Sequence, residues 1–147
     1  MSEIARTAQR LIGKGMTGTH AAIYRASGGK VAGRMFNSPV LLLITTGRKT
    51  GKERTSPLLY LEDGENLVVV GSVGGAPKHP AWYWNLKANP EARVQIQDRT
   101  LRVRAEEAEG EEKRRLWRRV VEMYPPYEDY QWRTEREIPV FVLRPTE

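Results

Sequence analysis

The sequence predicts an α+β domain built around an antiparallel sheet or barrel. Six short strand-like runs follow one another with hairpin turn signals between them, and long helical stretches do not alternate with them as in βαβ units. Four helical stretches are spread among these runs and would flank the sheet. The chain has 147 residues, with no internal repeat and no interdomain linker, which is the size of a single domain.

The first 34 residues are strongly basic. They hold six cations against Glu3, a net charge of +5 out of +6 for the whole chain. Apolar residues recur among these cations at near-helical spacing, at Ile4, Ala8, Leu11 and Ile12. This pattern predicts a basic amphipathic helix in an N-terminal arm, residues 1–18. Such an arm suits either reversible contact with an anionic membrane surface or packing on the body of the protein.

The folded domain is expected to span residues 19–147. A helix from Thr19, a good N-cap, to Ser27 opens it. The sheet then begins with an apolar run over residues 40–46, which is typical of a strand buried on both faces.

The second and third strands are predicted to form a hairpin. The second spans about residues 53–61, where Pro57 indicates a sheet edge or a bulge. The pair Asp63-Gly64 is a turn signal that leads into the third strand, residues 67–72. Glycines that permit close backbone approach cluster at its end: Gly71, Gly74 and Gly75.

A short aromatic helix is predicted over residues 81–88. Pro80 is a favourable first helical residue, and Pro90 lies just beyond the end. Three aromatic residues follow one another in this helix, Trp82, Tyr83 and Trp84. A helix exposed to solvent has no need of three such rings, so at least two should face a core or a ligand.

A second hairpin and a longer helix precede the last strand. Residues 93–97 and 100–105 alternate apolar and polar side chains, which predicts a tight hairpin. A helix follows from Gly110 to about Tyr124, with glutamates first and arginines later, an order that the helix macrodipole favours. Pro125-Pro126 ends this helix, and a strand over residues 138–143 closes the sheet.

Composition excludes several classes of site. Cysteine is absent, which excludes disulfides, thiol catalysis and thiolate metal sites. The two histidines, His20 and His79, do not have the spacing of zinc ligands, so no metal is expected. No apolar run reaches transmembrane length, and the N-terminus lacks the apolar core of a signal peptide. A cytoplasmic protein is expected, with peripheral membrane contact through the arm as the open alternative.

The turn between the first two strands is the main functional candidate. Four cations there, Arg48, Lys49, Lys52 and Arg54, face Glu53 alone, a net charge of +3. Gly47 and Gly51 allow the backbone to approach a ligand closely. Backbone N–H groups, hydroxyls and a guanidinium group that converge in one loop suit a phosphate or a carboxylate. On charge alone, a solvated basic turn is the alternative.

Three segments, in this order, resemble the deazaflavin-dependent nitroreductase family of small actinobacterial reductases, which use coenzyme F420. The matching segments are TGRKTG at 46–51 with RTSPL at 54–58, GGAPKHPAWYWNL at 74–86, and YPPYEDYQ at 124–131. The resemblance runs from about residue 20 to the C-terminus. It implies a split β-barrel of the FMN-binding type. It also implies hydride transfer from the reduced coenzyme to a quinone or a nitro-activated compound, as in quinone reductases and nitroreductases.

The resemblance also implies which residues hold the coenzyme. Around its phosphate and acidic tail would lie Arg48, Lys49, Thr50, Arg54, Thr55, Ser56, Pro57, Leu58 and Leu59. Further along it would lie Val70, Gly71, Ser72, Val73, Ala81, Trp82, Tyr83, Trp84 and Asn85, with Tyr127 closing over it. The tail is a phosphodiester extended by glutamates, which agrees with the cations of the loop. Family members often carry lysine where this chain has Val73, so one cation is missing here.

Hydride transfer needs donors that stabilise the acceptor. The deazaflavin has carbon in place of the reactive flavin nitrogen, so its reduced form gives up a hydride. Negative charge then builds on the acceptor, and the hydroxyls expected to face it are those of Ser72, Tyr124, Tyr127 and Tyr130. A tyrosine with a pKa of about 10 is a weak acid, so hydrogen bonding is the expected role. Tyr124 is nearly as well explained as the last core residue of its helix.

Other function classes stay open from the residues alone. An FMN-binding reductase of the same barrel would use the basic loop for a single phosphate. A non-catalytic deazaflavin-binding protein would need the same tail site without the hydroxyls. A nucleic-acid binder would interleave basic and aromatic residues on one face, whereas here the aromatic residues lie in apolar segments, so no nucleic acid is expected. The oligomeric state is not set by the sequence.

Overall fold

A computed structural model describes residues 34–35 and 38–146 of the chain. The predicted N-terminal arm, residues 1–18, and the predicted helix from Thr19 to Ser27 lie outside the described residues.

The described residues form eight strands and three α-helices in an α+β arrangement. In chain order these are β1 (Arg34–Met35), β2 (Ser38–Thr46), β3 (Glu53–Leu59), β4 (Leu61–Asp63), β5 (Asn66–Val70), α1 (Ala81–Ala88), β6 (Glu91–Ile96), β7 (Arg99–Glu107), α2 (Gly110–Met123), α3 (Pro126–Arg133) and β8 (Val140–Thr146). A single 3-10 turn, Val73–Gly75, precedes α1.

All strand pairs within the described residues are antiparallel. The strand order is β1-β2-β6-β7-β8-β5-β4, and β3 pairs with β2 on the side opposite β6. Contact between β3 and β5 brings the far parts of the sheet together, as in a barrel. The fold class predicted from the sequence is therefore confirmed.

β2 is the central strand, and both of its faces are buried. Val40 and Leu42 belong to one core cluster, which also contains the apolar face of α2 and the tyrosines of α3. Leu41 and Leu43 belong to a second cluster, with Trp82 of α1 and the β6–β7 hairpin. The apolar run 40–46 therefore forms the doubly buried strand that the sequence predicts.

The main differences from the sequence prediction concern four segments. The stretch 53–61 is divided into β3 and β4 because the N–H of Tyr60 donates to Pro39 O at 3.1 Å. β5 ends at Val70 because the backbone turns sharply over residues 72–75. α2 ends just before Pro125-Pro126, as predicted, but Pro126 also begins α3, which the sequence analysis missed. The last strand starts at Val140 and extends to Thr146.

The remaining predicted strands and helices of the described residues are present, with ends shifted by one or two residues in β2, β6, β7 and α2. α1 spans Ala81–Ala88, and Trp82 and Tyr83 are buried while Trp84 is 45% exposed. β3 has β2 as its strand partner, which is the edge position that Pro57 predicts. α2 ends at Met123, one residue before its predicted limit.

Candidate functional site

The loop between β2 and β3 is held by its own backbone. The N–H of Gly47 donates to Lys52 O at 2.7 Å, and the N–H of Gly51 donates to Gly47 O at 2.8 Å. Gly51 has a φ of +73°, which favours glycine. A Cβ on Gly47 would lie 3.0 Å from Lys52 O, so this position also has little room for a side chain. The four cations are thus presented from a closed turn.

Asn85 ties this loop to α1. Its Oδ1 accepts from the N–H of Arg48 at 3.1 Å and lies 3.5 Å from the guanidinium of the same residue. Its Nδ2 donates to Oγ1 of Thr45 at 3.1 Å. Asn85 is 3% exposed and Thr45 is 2% exposed, so these bonds are shielded from water. Both polar ends of the amide bind the protein itself.

The loop cations lack carboxylate partners. In the described part of the chain, Arg48, Lys49, Lys52 and Arg54 form no ion pair. Glu53, the acidic residue among them, pairs instead with Arg93 of β6. The loop therefore presents its positive charge to solvent, available to an anionic ligand.

A cleft of about 290 Å³ lies between this loop and α1. It is lined by nine residues that the resemblance implies as coenzyme-binding: Arg48, Lys49, Thr50, Arg54, Thr55, Ser56, Ala81, Trp82 and Asn85. Gly47, which the sequence analysis named only for its backbone freedom, lines it as well. One wall is cationic and hydroxyl-rich, and the other carries an indole ring.

The other residues implied for the coenzyme do not line this cleft. Pro57, Leu58, Leu59 and Val70 are buried in β3 and β5. Tyr83 packs on the side of α1 that faces Phe141, with ring centroids 5.7 Å apart. Trp84 projects into solvent. Gly71, Ser72 and Val73 belong to the turn that precedes α1.

The turn over residues 72–75 is packed closely against α3 and β8. A Cβ on Gly71 would lie 2.8 Å from Cγ of Pro139, and one on Gly75 would lie 2.8 Å from Tyr130 O. The close backbone approach that the glycines predict therefore occurs, with the protein's own chain as the neighbour. Ser72 is 5% exposed, and its hydroxyl has no hydrogen-bond partner among the described residues.

His79 stands at the entry of α1 and stacks on Tyr83, with ring centroids 4.0 Å apart and an interplanar angle of 17°. Its Nδ1 faces Nη1 of Arg136 at 3.0 Å. Burial, followed by the positive charge of Arg136, lowers the pKa of His79. The Tyr83 hydroxyl donates to Glu107 at 3.4 Å, and burial and that carboxylate raise the pKa of Tyr83. These contacts, all with the protein itself, give His79 a structural role at the entry of α1.

The three candidate catalytic tyrosines form one buried cluster. Tyr124 caps the end of α2, while Tyr127 and Tyr130 lie one turn apart on α3. Their ring centroids are 4.9 to 6.2 Å apart, and the hydroxyls of Tyr124 and Tyr130 are 2.9 Å apart. Burial is the main cause that raises the pKa of Tyr124 and of Tyr127. The hydroxyls of Tyr124 and Tyr127 are therefore neutral at ordinary pH.

The tyrosine cluster does not line the cleft, and the two are connected through the turn 72–75. The turn 72–75 contacts Tyr130 on one side and leads into α1, the wall of the cleft, on the other. Two polar residues of this region, Gln131 and Arg136, were missed by the sequence analysis. Nothing in the local sequence indicates a role for Arg136, because its partners lie about sixty positions earlier in the chain. Gln131 binds the backbone of Arg136 and Ile138, a contact that no sequence pattern indicates.

The part of the chain that the structure describes has neither a cluster of metal ligands nor a membrane-spanning helix. It contains no group of three His, Asp or Glu residues that could hold a metal ion. It contains no helix long and apolar enough to cross a membrane.

Comparison with protein families gives a match over residues 16–145 to the family described as F420H(2)-dependent quinone reductase. This chain belongs to the F420H(2)-dependent quinone reductase family. The resemblance stated from the sequence is thereby confirmed, together with the expected enzyme class and the coenzyme on which the family depends.

Curated relatives agree over almost the whole chain. A protein of Mycobacterium tuberculosis (strain ATCC 25618 / H37Rv) named F420H(2)-dependent quinone reductase is 40% identical over 145 residues, which is 96% of this chain and 97% of that protein.

Solved structures give the same result. A structure described as an F420-H2 dependent reductase (FDR-A) is 48% identical, covers 72% of this chain and 94% of its own, and has a TM-score of 0.68. A second, described as a domain-swapped dimer, is 39% identical, covers 95% of both chains and has a TM-score of 0.69. A pyridoxamine 5′-phosphate oxidase-like protein of Listeria innocua, 18% identical with a TM-score of 0.51, shares the fold. It covers 74% of this chain and 84% of its own.

Proposed function

We propose that this member of the family transfers a hydride from reduced coenzyme F420 to a quinone-type acceptor, and that the cleft between the β2–β3 loop and α1 holds the coenzyme's acidic tail. The observation that carries the proposal is the set of four loop cations without carboxylate partners among the described residues. A phosphodiester followed by glutamates supplies the matching negative charges.

Different residues of the cleft would bind different groups of the coenzyme. Arg48, Lys49 and Arg54 would pair with the anionic groups of the tail, and Thr50, Thr55 and Ser56 would donate hydroxyl hydrogen bonds. Trp82 offers an apolar ring surface at the opposite wall. When bound, the coenzyme supplies the hydride, and the protein needs only to orient it and to stabilise the acceptor.

The acceptor side is proposed to be formed by Ser72 and the tyrosine cluster. The hydroxyls of Ser72 and Tyr127 have no hydrogen-bond partner within the described residues, although both residues are 5% exposed. Buried hydroxyls without partners are costly in an ordinary core, and a substrate oxygen would satisfy them. Both would donate to the acceptor as it gains negative charge.

The decisive experiment is a titration with coenzyme followed by turnover. Trp82 lines the cleft, so binding of the coenzyme should quench tryptophan fluorescence, and FMN in a parallel titration tests the flavin alternative. Oxidation of the reduced coenzyme is then followed with menadione and with a nitroimidazole as acceptors. Binding without turnover of either acceptor would favour a non-catalytic coenzyme-binding protein, and tighter binding of FMN would favour the flavin reductase.

A pair of double variants tests the location of the tail. Lys49→Ala with Arg54→Ala should weaken coenzyme binding by roughly tenfold per residue, because each charge-assisted bond contributes about 1.5–3 kcal/mol. Arg99→Ala with Arg102→Ala removes two exposed cations of the β6–β7 hairpin and serves as the matched control. Equal affinity of both folded double variants would contradict the tail site.

Peripheral membrane contact through residues 1–18 remains a separate proposal. Arg6, Arg10 and Lys14 beside apolar residues suit an anionic surface, where a lipophilic quinone would reside. Full-length protein should sediment partly with anionic vesicles at low salt and be released at high salt. A full-length variant with these three cations replaced by glutamine should remain in the supernatant. Identical sedimentation of both proteins would contradict the contact.

A further inference from the structure

One arginine ties the segment between β5 and α1 to the rest of the fold. Arg136 lies between α3 and β8, and its guanidinium donates to the backbone oxygens of Ser72 at 2.8 Å and of Ala76 at 2.9 Å. Its third contact is to Nδ1 of His79 at 3.0 Å. Arginine has no acceptor, so the histidine nitrogen must accept this bond. A single side chain thus holds the 72–79 segment at its start, middle and end.

Arg136 is itself held in place. Its backbone oxygen accepts from Nε2 of Gln131 at 2.8 Å, and Oε1 of the same glutamine accepts from the N–H of Ile138 at 2.9 Å. Gln131 belongs to α3, the helix that carries Tyr127 and Tyr130. Within the described residues Arg136 forms no ion pair, and all the hydrogen bonds of its guanidinium go to the 72–79 segment.

The segment needs this support because its backbone is strained. Val73 has a φ of +46°, a left-handed conformation that a β-branched residue rarely adopts. Gly74 and Gly75 follow with φ values of +61° and +83°. The N–H of Gly75 donates to Ser72 O at 2.9 Å, the same oxygen that Arg136 binds. Such strained residues persist only where the surroundings over-determine them, and they are frequent at functional sites.

We propose that Arg136 is a positioning residue for hydride transfer: it fixes the strained turn 72–75 and so sets the position of the Ser72 side chain. The inference rests on the proposed function, which places Ser72 beside the coenzyme and the acceptor. The Ser72 hydroxyl has no hydrogen bond of its own within the described residues, so the backbone that carries the side chain is what determines where it lies. Arg136 acts on the reaction through that backbone.

The first test compares three variants in turnover with menadione. Arg136→Met removes all three bonds, Arg136→Lys keeps the charge but loses the planar fork, and Arg118→Met removes an exposed arginine of α2 that forms no ion pair among the described residues. We expect Arg136→Met to lower kcat on the order of tenfold or more, with coenzyme affinity and the acceptor KM less affected. Arg136→Lys should be intermediate, and Arg118→Met should behave as the wild type.

The second test asks whether strain at position 73 is the cause. Glycine adopts a positive φ without penalty, so Val73→Gly added to Arg136→Met should restore part of the lost kcat. Recovery by this change distinguishes a held backbone from a lost charge near the acceptor. No recovery in a folded double variant would overturn the proposal that Arg136 acts by holding the turn.

The third measurement does not involve the coenzyme. The amide protons of Gly75 and Ala76, which close the turn by bonds to Ser72 and Val73, should exchange with solvent faster in Arg136→Met and in Arg136→Lys than in Arg118→Met. Unchanged exchange together with unchanged kcat would overturn the inference. If the wild type binds no coenzyme, the proposed function fails, and faster exchange would still show that Arg136 holds the turn.

Discussion

The backbone N–H of Arg48 donates to Oδ1 of Asn85 at 3.1 Å, and this bond joins the basic loop to the aromatic helix α1. The resemblance implied that Asn85 binds the coenzyme. Its amide is occupied on both ends, by Arg48 and by Thr45. We infer that Asn85 shapes the cleft by fixing its two walls relative to one another.

Replacing Asn85 by alanine should therefore weaken both the fold and coenzyme binding. The change leaves the buried Thr45 hydroxyl and the N–H of Arg48 without their partner, so the free energy of unfolding should fall by about 1–3 kcal/mol. Coenzyme affinity should fall on the order of tenfold because the loop loses its attachment. Asn89→Ala, at the exposed end of the same helix, is the control. Urea unfolding and fluorescence titration measure the two effects, and a folded variant with full affinity would contradict this role.

Coenzyme binding should strengthen with the number of glutamates in the tail and weaken with added salt. The loop cations are exposed, so dissolved ions screen them. Isothermal titration with coenzyme forms of different tail length, at two salt concentrations, measures this dependence. In the Lys49→Ala, Arg54→Ala double variant, coenzyme affinity should depend less on tail length and less on salt. Equal binding of the riboside without its phosphate and glutamates would contradict a tail site in this loop.

Replacing Tyr127 by phenylalanine should separate stability from activity. The Tyr127 hydroxyl is buried and has no hydrogen-bond partner among the described residues, so its removal should leave the free energy of unfolding unchanged or increase it. If the hydroxyl faces the coenzyme or the acceptor, kcat/KM should fall by roughly tenfold or more. Thermal unfolding and steady-state turnover measure the two quantities. A stable variant with full activity would assign Tyr127 to packing alone.

Stability should decrease in weakly acidic solution because of His79. The groups that face its ring are Arg136, Tyr83 and, at longer range, Glu107. Burial and the charge of Arg136 lower its pKa in the folded state below the ordinary 6.5, so below that pH the unfolded chain binds more protons. The contribution of His79 to the free energy of unfolding is complete above pH 6.5. It is lost as the pH falls from 6.5 towards the lowered pKa of the folded state.

Urea unfolding between about pH 7.5 and about pH 5 measures this loss. His79→Asn keeps an acceptor near the position of Nδ1 but does not titrate, so its stability should vary less over the same range. His20→Asn changes the other histidine and serves as the control. Identical pH dependence of the wild type and His79→Asn would show that other groups cause the loss.

The sheet and the basic loop could be predicted because their signals are local. The run 40–44 is apolar without interruption, and the cations after it lie within seven positions, from Arg48 to Arg54. The two strands that flank such a loop pair with each other in a hairpin, and this pairing does not depend on distant parts of the chain. The indole of Trp82 was predicted to face a core or a ligand, and it is buried and lines the cleft.

The missed features depend on contacts between distant parts of the chain. Pro125-Pro126 signals the end of a helix, and the same pair allows a new helix to begin, so α3 was not predicted. Arg136 stands between Glu135 and Glu137 and has the local pattern of a solvated charge run. Its actual partners lie about sixty positions earlier, at Ser72, Ala76 and His79. No local pattern contains that information.

The doubly buried strand β2 leads directly into the basic loop, and this continuity affects how the loop unfolds. Core strands usually open only with the whole domain, whereas ligand-binding loops commonly open earlier. We expect the basic loop to differ from this rule because a buried hydrogen bond anchors it. Thr45, at the end of β2, and Asn85 provide such an anchor. The tail cleft should therefore persist until the whole domain unfolds. Bound coenzyme should then raise the melting temperature of the protein as one cooperative unit.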